Sequence, residues 1–173
     1  MSTATGGATA PITLDDRMQL TEMVSRLGAA LDEHRFDVLR ELFTDDATAT
    51  TPGGTAEGRE AVVAQATRNH IGFERLHHVM TNVLIDEGES ARGARTAEVR
   101  ANLTAHFAHA DGVPVQAIGA VYRFGVRETA SGWRIAELRV APTWRTSAPT
   151  SATAPTSATD ASAATAPTAE ASA

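Results

Sequence analysis

The chain has 173 residues, of which 42% are hydrophobic, enough for one globular domain with its own core. Cysteine is absent, which excludes disulfide frameworks, thiolate metal sites and cysteine nucleophiles. The formal net charge is −6 and no basic run occurs, so we expect no nucleic-acid partner. No stretch approaches the ~20 apolar residues that span a bilayer, and the first ten residues lack a secretory pattern. We therefore expect a cytoplasmic protein that does not bind membranes.

The two ends of the chain have compositions that cannot build a core. Ala, Thr, Ser and Pro make up almost all of residues 146–173, and their repeats resemble a flexible spacer. Residues 1–11 are similar in composition. We expect both ends to be disordered, which leaves residues 12–145 as the folded domain.

The first half of the domain shows helical periodicity. Thr13 and Asp16 have the spacing of a capping box and open a helix that is expected to run to about Asp32. The following segments are predicted as a short helix over 36–43, a strand over 47–51, a turn at 52–54 and a third helix over 59–73.

Residues 76–86 predict a strand that carries polar groups on an apolar face. Because side chains alternate along a strand, His78 and Asn82 share a face with Met80 and Leu84. His77 must then point to the opposite face, so the two adjacent histidines cannot serve one site. Acid–base groups on an apolar face indicate a pocket, although a histidine satisfied by local hydrogen bonds is the simpler alternative.

The remaining pattern is a meander. Residues 96–107 alternate between apolar and polar side chains, which predicts a half-buried antiparallel strand. Turns at 111–112 and 130–132 separate two further strands over 115–126 and 133–140. Together, the predicted helices and strands indicate an α+β fold. Its curved sheet, antiparallel or mixed, is expected to form a cone, and three N-terminal helices are expected to close an apolar pocket inside it.

An ordered series of short motifs runs through this domain. They are Ala30-Leu31-Asp32, Phe36-Asp37-Val38-Leu39, Leu42-Phe43-Thr44-Asp45-Asp46-Ala47, Gly58-Arg59-Glu60, His78-x-x-x-Asn82, Gly119 to Tyr122, Gly132-Trp133-Arg134-Ile135 and Trp144. Together they resemble the SnoaL-like family, of polyketide cyclase/dehydratase type, in the nuclear-transport-factor-two-like superfamily. The resemblance implies the cone fold and a homodimer formed through the outer face of the sheet. It does not fix one activity, since the fold hosts cyclases, dehydratases, isomerases, hydrolases, small oxygenase subunits and binding proteins.

The resemblance implies a general acid/base pair at Asp32 and His78. In related enzymes the corresponding residues face each other across the cone. An apolar cavity would raise the pKa of the Asp32 carboxyl, and a neighbouring imidazole could share its proton, so that each group is poised near neutrality. From the pattern alone, Asp32 could instead bond to the backbone or to Arg35 as an ordinary helix-terminal residue.

The chain departs from the family at Leu27, where many members with a full catalytic set carry a tyrosine. Tyr122 or Asn82 could donate a hydrogen bond to a substrate oxygen instead, although Tyr122 fits a core or dimer-facing position equally well. His34, His70 and His109 are expected at the surface. The residues expected to bind substrate are Leu27, Leu31, Phe43, Val62, Met80, Asn82, Leu84, Arg100, His106, Tyr122, Phe124 and Trp144, with Trp144 closing the mouth. For Arg100 and His106, a solvated or dimer-interface face is the favoured alternative.

Neither metal-ligand spacing nor a glycine-rich phosphate loop is present, so we expect no metal and no cofactor. The predicted function is acid/base catalysis in secondary metabolism on a polyketide-like, terpenoid-like or other apolar carbonyl substrate, by cyclisation, dehydration or isomerisation. The alternative is a non-catalytic binding protein for a small apolar metabolite, or a small structural subunit of an oxygenase. Leu27 favours the alternative, whereas the Asp32 and His78 pair favours the enzyme.

Overall fold

The computed structural model describes residues 10–89 and 93–147, and its first element is a capped helix. Helix α1 spans Leu14–Asp32. The Thr13 hydroxyl accepts the main-chain N–H of Asp16, and the Asp16 carboxylate accepts the main-chain N–H of Thr13 at 2.8 Å. The predicted capping box is therefore present. The other two helices are also found, as α2 (Phe36–Leu42) and α3 (Arg59–His70).

Six strands of the described chain form a single sheet. Their bounds are β1 (Phe43–Thr51), β2 (Gly54–Glu57), β3 (Arg75–Glu87), β4 (Thr96–Ala108), β5 (Pro114–Thr129) and β6 (Gly132–Ser147). The order across the sheet is β2-β1-β6-β5-β4-β3. Neighbours are antiparallel except β1 and β6, which are parallel, so the sheet is mixed. Irregularities of register interrupt β3, β5 and β6, and such bulges bend a sheet. The predicted α+β cone is the observed fold.

One end of the cone is filled with packed side chains. Leu20 and Val24 of α1 meet the inward faces of the sheet, where Val99, Phe124 and Ile135 are at most 1% exposed. These residues make up the solid core. The inward side chains farther along β4, β5 and α1 surround the open end of the cone instead, and this end holds the site.

A buried ion pair fastens the start of α1 to the solid end. A guanidinium nitrogen of Arg95 lies 2.5 Å from the Asp16 carboxylate, and the indole N–H of Trp133 donates to the same carboxylate at 2.8 Å. Arg95 also pairs with Glu128 at 3.2 Å. The Arg95 hydrogen bond is the main reason why the pKa of Asp16 lies well below its usual range. The capping residue of α1 is thus also an anchor to the sheet.

The predicted disordered ends lie mostly outside the described residues. Strand β6 continues to Ser147, two residues beyond the predicted end of the domain. At the other end, the main-chain oxygens of Ala10 and Pro11 accept hydrogen bonds from Arg95. Within the described ranges, no helix is long and apolar enough to cross a membrane.

Candidate active site

A cavity of about 390 Å³ occupies the open end of the cone. Helix α1 contributes Leu27 and Leu31, and Phe43, Val62 and Tyr122 complete the part of the wall that the sequence predicts. Further apolar lining comes from Leu39, Leu103, Phe107, Ile118, Leu138 and Val140. Polar residues Asn69, Gln116 and Arg145 also line the cavity, and Asn69 and Arg145 are exposed. An apolar interior with a polar entrance is typical of a small-molecule site.

Asp32 and His78 form a direct pair at this cavity. The imidazole Nδ1 of His78 lies 2.6 Å from one carboxylate oxygen of Asp32. The main-chain N–H of His78 also donates to both oxygens, at 2.9 and 3.1 Å. This is possible because β3 is an edge strand, so an N–H that points away from β4 has no strand partner. Asp32 takes the place of that partner and docks the end of α1 onto the sheet.

The two residues do not face each other across the cone, which corrects the expectation from the sequence. His78 lines the cavity with a side chain that is 2% exposed, whereas Asp32 lies behind the imidazole and does not line the cavity. Asp32 therefore contacts the imidazole and not the cavity, and His78 is the member of the pair that a bound molecule can touch. Arg35, the other partner considered for Asp32, pairs with Glu33 at 3.5 Å. The side chain of His77 is 72% exposed, and its Nδ1 lies 4.0 Å from an Asp32 oxygen, beyond hydrogen-bond distance.

The protonation state of the pair also differs from the expectation. Burial acts to raise the pKa of Asp32, but the hydrogen bonds from the ring and main chain of His78 outweigh it, so the pKa lies below its usual value. Asp32 is thus an ionised acceptor and not a carboxyl poised near neutrality. Because a carboxylate can only accept, Nδ1 of His78 carries a proton and donates it to Asp32, which leaves Nε2 as the nitrogen that can act as a base.

A second histidine, His70, lines the cavity, although a surface position was expected. Its ring centroid lies 5.3 Å from that of His78. Burial lowers the pKa of His70 to about 4, so the ring is neutral at pH 7. The sequence did contain a signal for this placement. His70 follows Val62 by eight residues and Ala66 by four, a spacing that puts the three side chains on one face of α3.

Tyr122 lies in the cavity wall with 7% of its surface exposed. Within residues 10–89 and 93–147, no hydrogen bond to its hydroxyl is found, and burial is the single influence on its pKa. Burial raises the pKa of Tyr122 to about 12, so the phenol stays protonated. A bound molecule can therefore receive a hydrogen bond from this group.

Three residues predicted on β3 do not line the cavity. Met80 points inward but packs on α1, where a Cβ added to Gly28 would lie 3.4 Å from the Met80 Cγ. The register then shifts between Thr81 and Leu84, and Asn82 adopts a left-handed φ of 52°. The bulge breaks the alternation on which the prediction depended. Asn82 is exposed, and Leu84 pairs with Arg100 on the outer face.

The other four predicted binding residues also lie outside the lining. Arg100 and His106 sit on the outer face of the sheet, as the favoured alternative proposed, and His106 pairs there with His77. Phe124 belongs to the solid core. Trp144 pairs with Gly119 and its indole covers the space that a Cβ at Gly119 would need, so it does not close the mouth.

No group of three or more His, Asp or Glu side chains suited to a metal ion occurs in the described part of the chain. The polar side chains at the cavity include two imidazoles, a phenol, amides, the Thr51 hydroxyl and the Arg145 guanidinium, which suit hydrogen bonding and proton transfer.

Comparison with known proteins identifies the family and the fold of this chain. The SnoaL-like domain family matches residues 13–139. The chain belongs to the SnoaL-like family. No curated protein matches significantly. Solved structures do: a candidate scytalone dehydratase from Novosphingobium aromaticivorans DSM 12444 is 22% identical, with a TM-score of 0.66 over 78% of this chain and 88% of that chain.

Two further structures have the same fold. A hexachlorocyclohexane dehydrochlorinase, LinA type 2, is 20% identical, with a TM-score of 0.67 over 83% of this chain and 96% of that chain. A protein of unknown function with a cystatin-like fold from Nostoc punctiforme PCC 73102 is 18% identical, with a TM-score of 0.65 over 77% and 95% of the two chains. At these identities the likeness establishes the fold.

Proposed function

We propose that this SnoaL-like protein is a cofactor-independent lyase or isomerase in which His78 removes a proton next to the carbonyl group of an apolar substrate. The observation that carries the proposal is the imidazole of His78, whose Nδ1 lies 2.6 Å from the Asp32 carboxylate in the wall of an apolar cavity. The substrate class is a polyketide-like or similar carbonyl compound of secondary metabolism. Such a molecule suits a cavity with largely apolar walls.

The proton transfer follows from the hydrogen bonds of the pair. Asp32 holds the Nδ1 proton of His78, so Nε2 is the basic nitrogen. When Nε2 takes the substrate proton, the ring becomes an imidazolium beside a carboxylate. Their attraction stabilises the charge that forms, and it is stronger in a buried site than in water. A positioned base of this kind typically contributes about 10²- to 10⁴-fold in rate.

Tyr122 supports the proposal as the donor to the carbonyl oxygen. Loss of the α-proton places negative charge on that oxygen, and a phenol that has no other partner can donate to it. Leu27 cannot fill this role. We therefore propose that Tyr122 donates the hydrogen bond that, in many family members, a tyrosine at the position of Leu27 would donate.

Dehydration is the reaction that we favour among the three. The electron pair of the broken C–H bond forms the C=C bond, the C–O bond at the β-carbon breaks, and the imidazolium proton leaves with the hydroxyl as water. The names of two similar structures, a dehydratase and a dehydrochlorinase, both describe eliminations. Isomerisation would return the proton to another carbon, and cyclisation would use the enolate as a nucleophile.

A turnover assay tests the proposal. Bicyclic aryl ketones with a β-hydroxyl group, such as 3-hydroxy-1-indanone, are incubated with the protein, and the enone product is followed by absorbance. We expect His78→Ala to lower kcat/KM at least ~100-fold, while His77→Ala, which changes the exposed neighbour, leaves it within about twofold. Binding of the ketones with no turnover by the parent protein would favour the non-catalytic binding module instead.

We also propose a homodimer formed through the outer face of the sheet. This face carries the exposed apolar side chains of Val79, Leu84 and Trp144, beside the polar Arg100. Light scattering should give twice the chain mass of 18.1 kDa. Substitution of Leu84 and Trp144 by Glu should lower the mass toward that of one chain, and a parent protein that is already monomeric would contradict the proposal.

A further inference from the structure

His70 presents an unused acceptor to the cavity. Its Nδ1 lies 2.7 Å from the main-chain oxygen of Ala66, one turn earlier on α3. Because a carbonyl oxygen can only accept, Nδ1 carries the ring proton, and Nε2 carries the lone pair. Among the described residues, none donates to this Nε2. The nitrogen is left for a molecule in the cavity.

The ring cannot easily turn to find another partner. His34 donates from Nε2 to the main-chain oxygen of His70 at 3.3 Å, which fixes the end of α3. The His70 ring also packs 6.1 Å from the ring of Phe107 and 5.3 Å from that of His78, measured between centroids. The Nε2 atom is not among the fully buried side-chain atoms without a partner in the described residues, so it is accessible from the cavity. A bound molecule that brings a donor can therefore form a hydrogen bond with it without moving the ring.

A plain ketone brings no donor, since its carbonyl oxygen only accepts. A hydroxyl group can donate to His70, and its oxygen can then accept a proton from His78 once that ring has become an imidazolium. The ring centroids lie 5.3 Å apart, so a hydroxyl group bound at His70 also lies next to the His78 ring. A leaving hydroxyl in that place would be oriented by His70 and could take the proton from the His78 imidazolium.

We propose that His70 is a substrate-binding residue whose Nε2 accepts a hydrogen bond from a substrate hydroxyl group, and that the substrate is a hydroxylated carbonyl compound. The inference rests on the proposed function, because it concerns the same cavity and names the substrate class more closely. The proposed hydrogen bond to His70 concerns substrate binding, so this inference can be wrong even if His78 is the catalytic base.

Matched ligand pairs test it. The dissociation constant of 1-indanone is compared with those of 4- and 6-hydroxy-1-indanone, which have no β-hydroxyl group to eliminate, by calorimetry in the parent protein and in two variants at this position. His70→Phe keeps an aromatic ring and removes the acceptor, whereas His70→Gln keeps an acceptor near the place of Nε2. His106→Phe, on the outer face of the sheet, is the control, and circular dichroism checks that each variant is folded.

We expect at least one hydroxylated ketone to bind the parent protein about 2- to 10-fold more tightly than 1-indanone, the range of one net hydrogen bond. His70→Phe should abolish this preference without changing the affinity for 1-indanone by more than about twofold. His70→Gln should restore part of it, and His106→Phe should leave it intact. A hydroxyl preference that survives in His70→Phe, or its absence from the parent protein, would overturn the inference. If His78→Ala still abolishes turnover in that case, the proposed function is unaffected.

Discussion

Both carboxylate oxygens of Asp32 accept the main-chain N–H of His78, and one of them also lies 2.6 Å from Nδ1 of the same residue. One carboxylate therefore fixes the position of the strand and the orientation of the ring that the strand carries. Asp32 is the last residue of α1, where the helix dipole disfavours a negative charge. The hydrogen bonds from His78 offset this effect and keep the pKa of Asp32 low.

Replacing Asp32 by Asn should lower the rate without unfolding the protein. The amide oxygen can still accept from the main chain, but the side chain no longer stabilises an imidazolium or dictates which ring nitrogen carries the proton. We expect kcat to fall about 10²-fold or more, with a dissociation constant for 1-indanone within about threefold of that of the parent. Steady-state kinetics and calorimetry measure the two quantities. An unchanged kcat would show that Asp32 is only a structural tie.

Replacing Tyr122 by Phe removes a single donor from the cavity. The phenol has no partner among the described residues, so the change leaves no protein group unsatisfied, and stability should change by less than about 1 kcal/mol. If the phenol stabilises the enolate oxygen, kcat should fall about 10- to 100-fold, somewhat less than the loss of a dedicated oxyanion donor. Equal rates for Tyr122→Phe and the parent protein would assign Tyr122 to the wall alone.

The pKa of His70 predicts a pH dependence of stability. The ring titrates at about 4 in the fold and at 6.5 in the unfolded chain. Between these values the unfolded state binds a proton that the folded state lacks, so stability falls as the pH falls from 6.5 to 4. The difference between these two pKa values corresponds to a loss of at most about 3.4 kcal/mol in the free energy of unfolding.

Urea unfolding at several pH values measures this effect. The loss of stability between pH 7 and pH 4.5 should be smaller in His70→Phe than in the parent protein. His77→Phe, which changes an exposed ring on the neighbouring strand, should keep the loss seen in the parent. Identical pH profiles for His70→Phe and the parent would mean that His70 does not titrate abnormally.

Asp16 should contribute more to stability than an ordinary helix cap. Thr13→Ala removes the cap and should cost about 1 kcal/mol. Asp16→Asn also removes the carboxylate charge from the contact with Arg95, which keeps its pair with Glu128, so we expect a cost of about 1.5–3 kcal/mol, the value of a hydrogen bond to a charged group. Chemical unfolding gives both values. If Asp16→Asn costs no more than Thr13→Ala, the pair with Arg95 adds nothing to the cap.

Local patterns in the sequence predict most of the fold. The capping box, the helical periodicity of α1 and the alternation of β4 are properties of neighbouring residues, and all three appear in the structure. Which strands pair is a property of distant residues. For this reason the sequence does not distinguish an antiparallel sheet from a mixed one. The parallel pairing of β1 with β6 shows that the sheet is mixed.

The site was harder to predict than the fold. His78 follows from the polar residue on an apolar strand, but the left-handed Asn82 and the bulge beside it cannot be read from alternation, so Leu84 was placed on the wrong face. Phe124 has the right face but lies at the filled end of the cone, and sequence patterns do not distinguish that end from the hollow one. The contact between Asp32 and His78 spans 46 positions in the chain and came from the family resemblance alone.

Exchange of the α-protons of 1-indanone with D₂O tests the role of His78 most directly, because it reports proton removal whatever reaction follows. Proton NMR should show that the parent protein accelerates loss of the α-proton signal. His78→Gln should reduce this acceleration at least ~100-fold, while His77→Gln retains it. If His78→Gln exchanges the α-protons as fast as the parent protein, then His78 is not the base, and the catalytic account of this cavity is wrong.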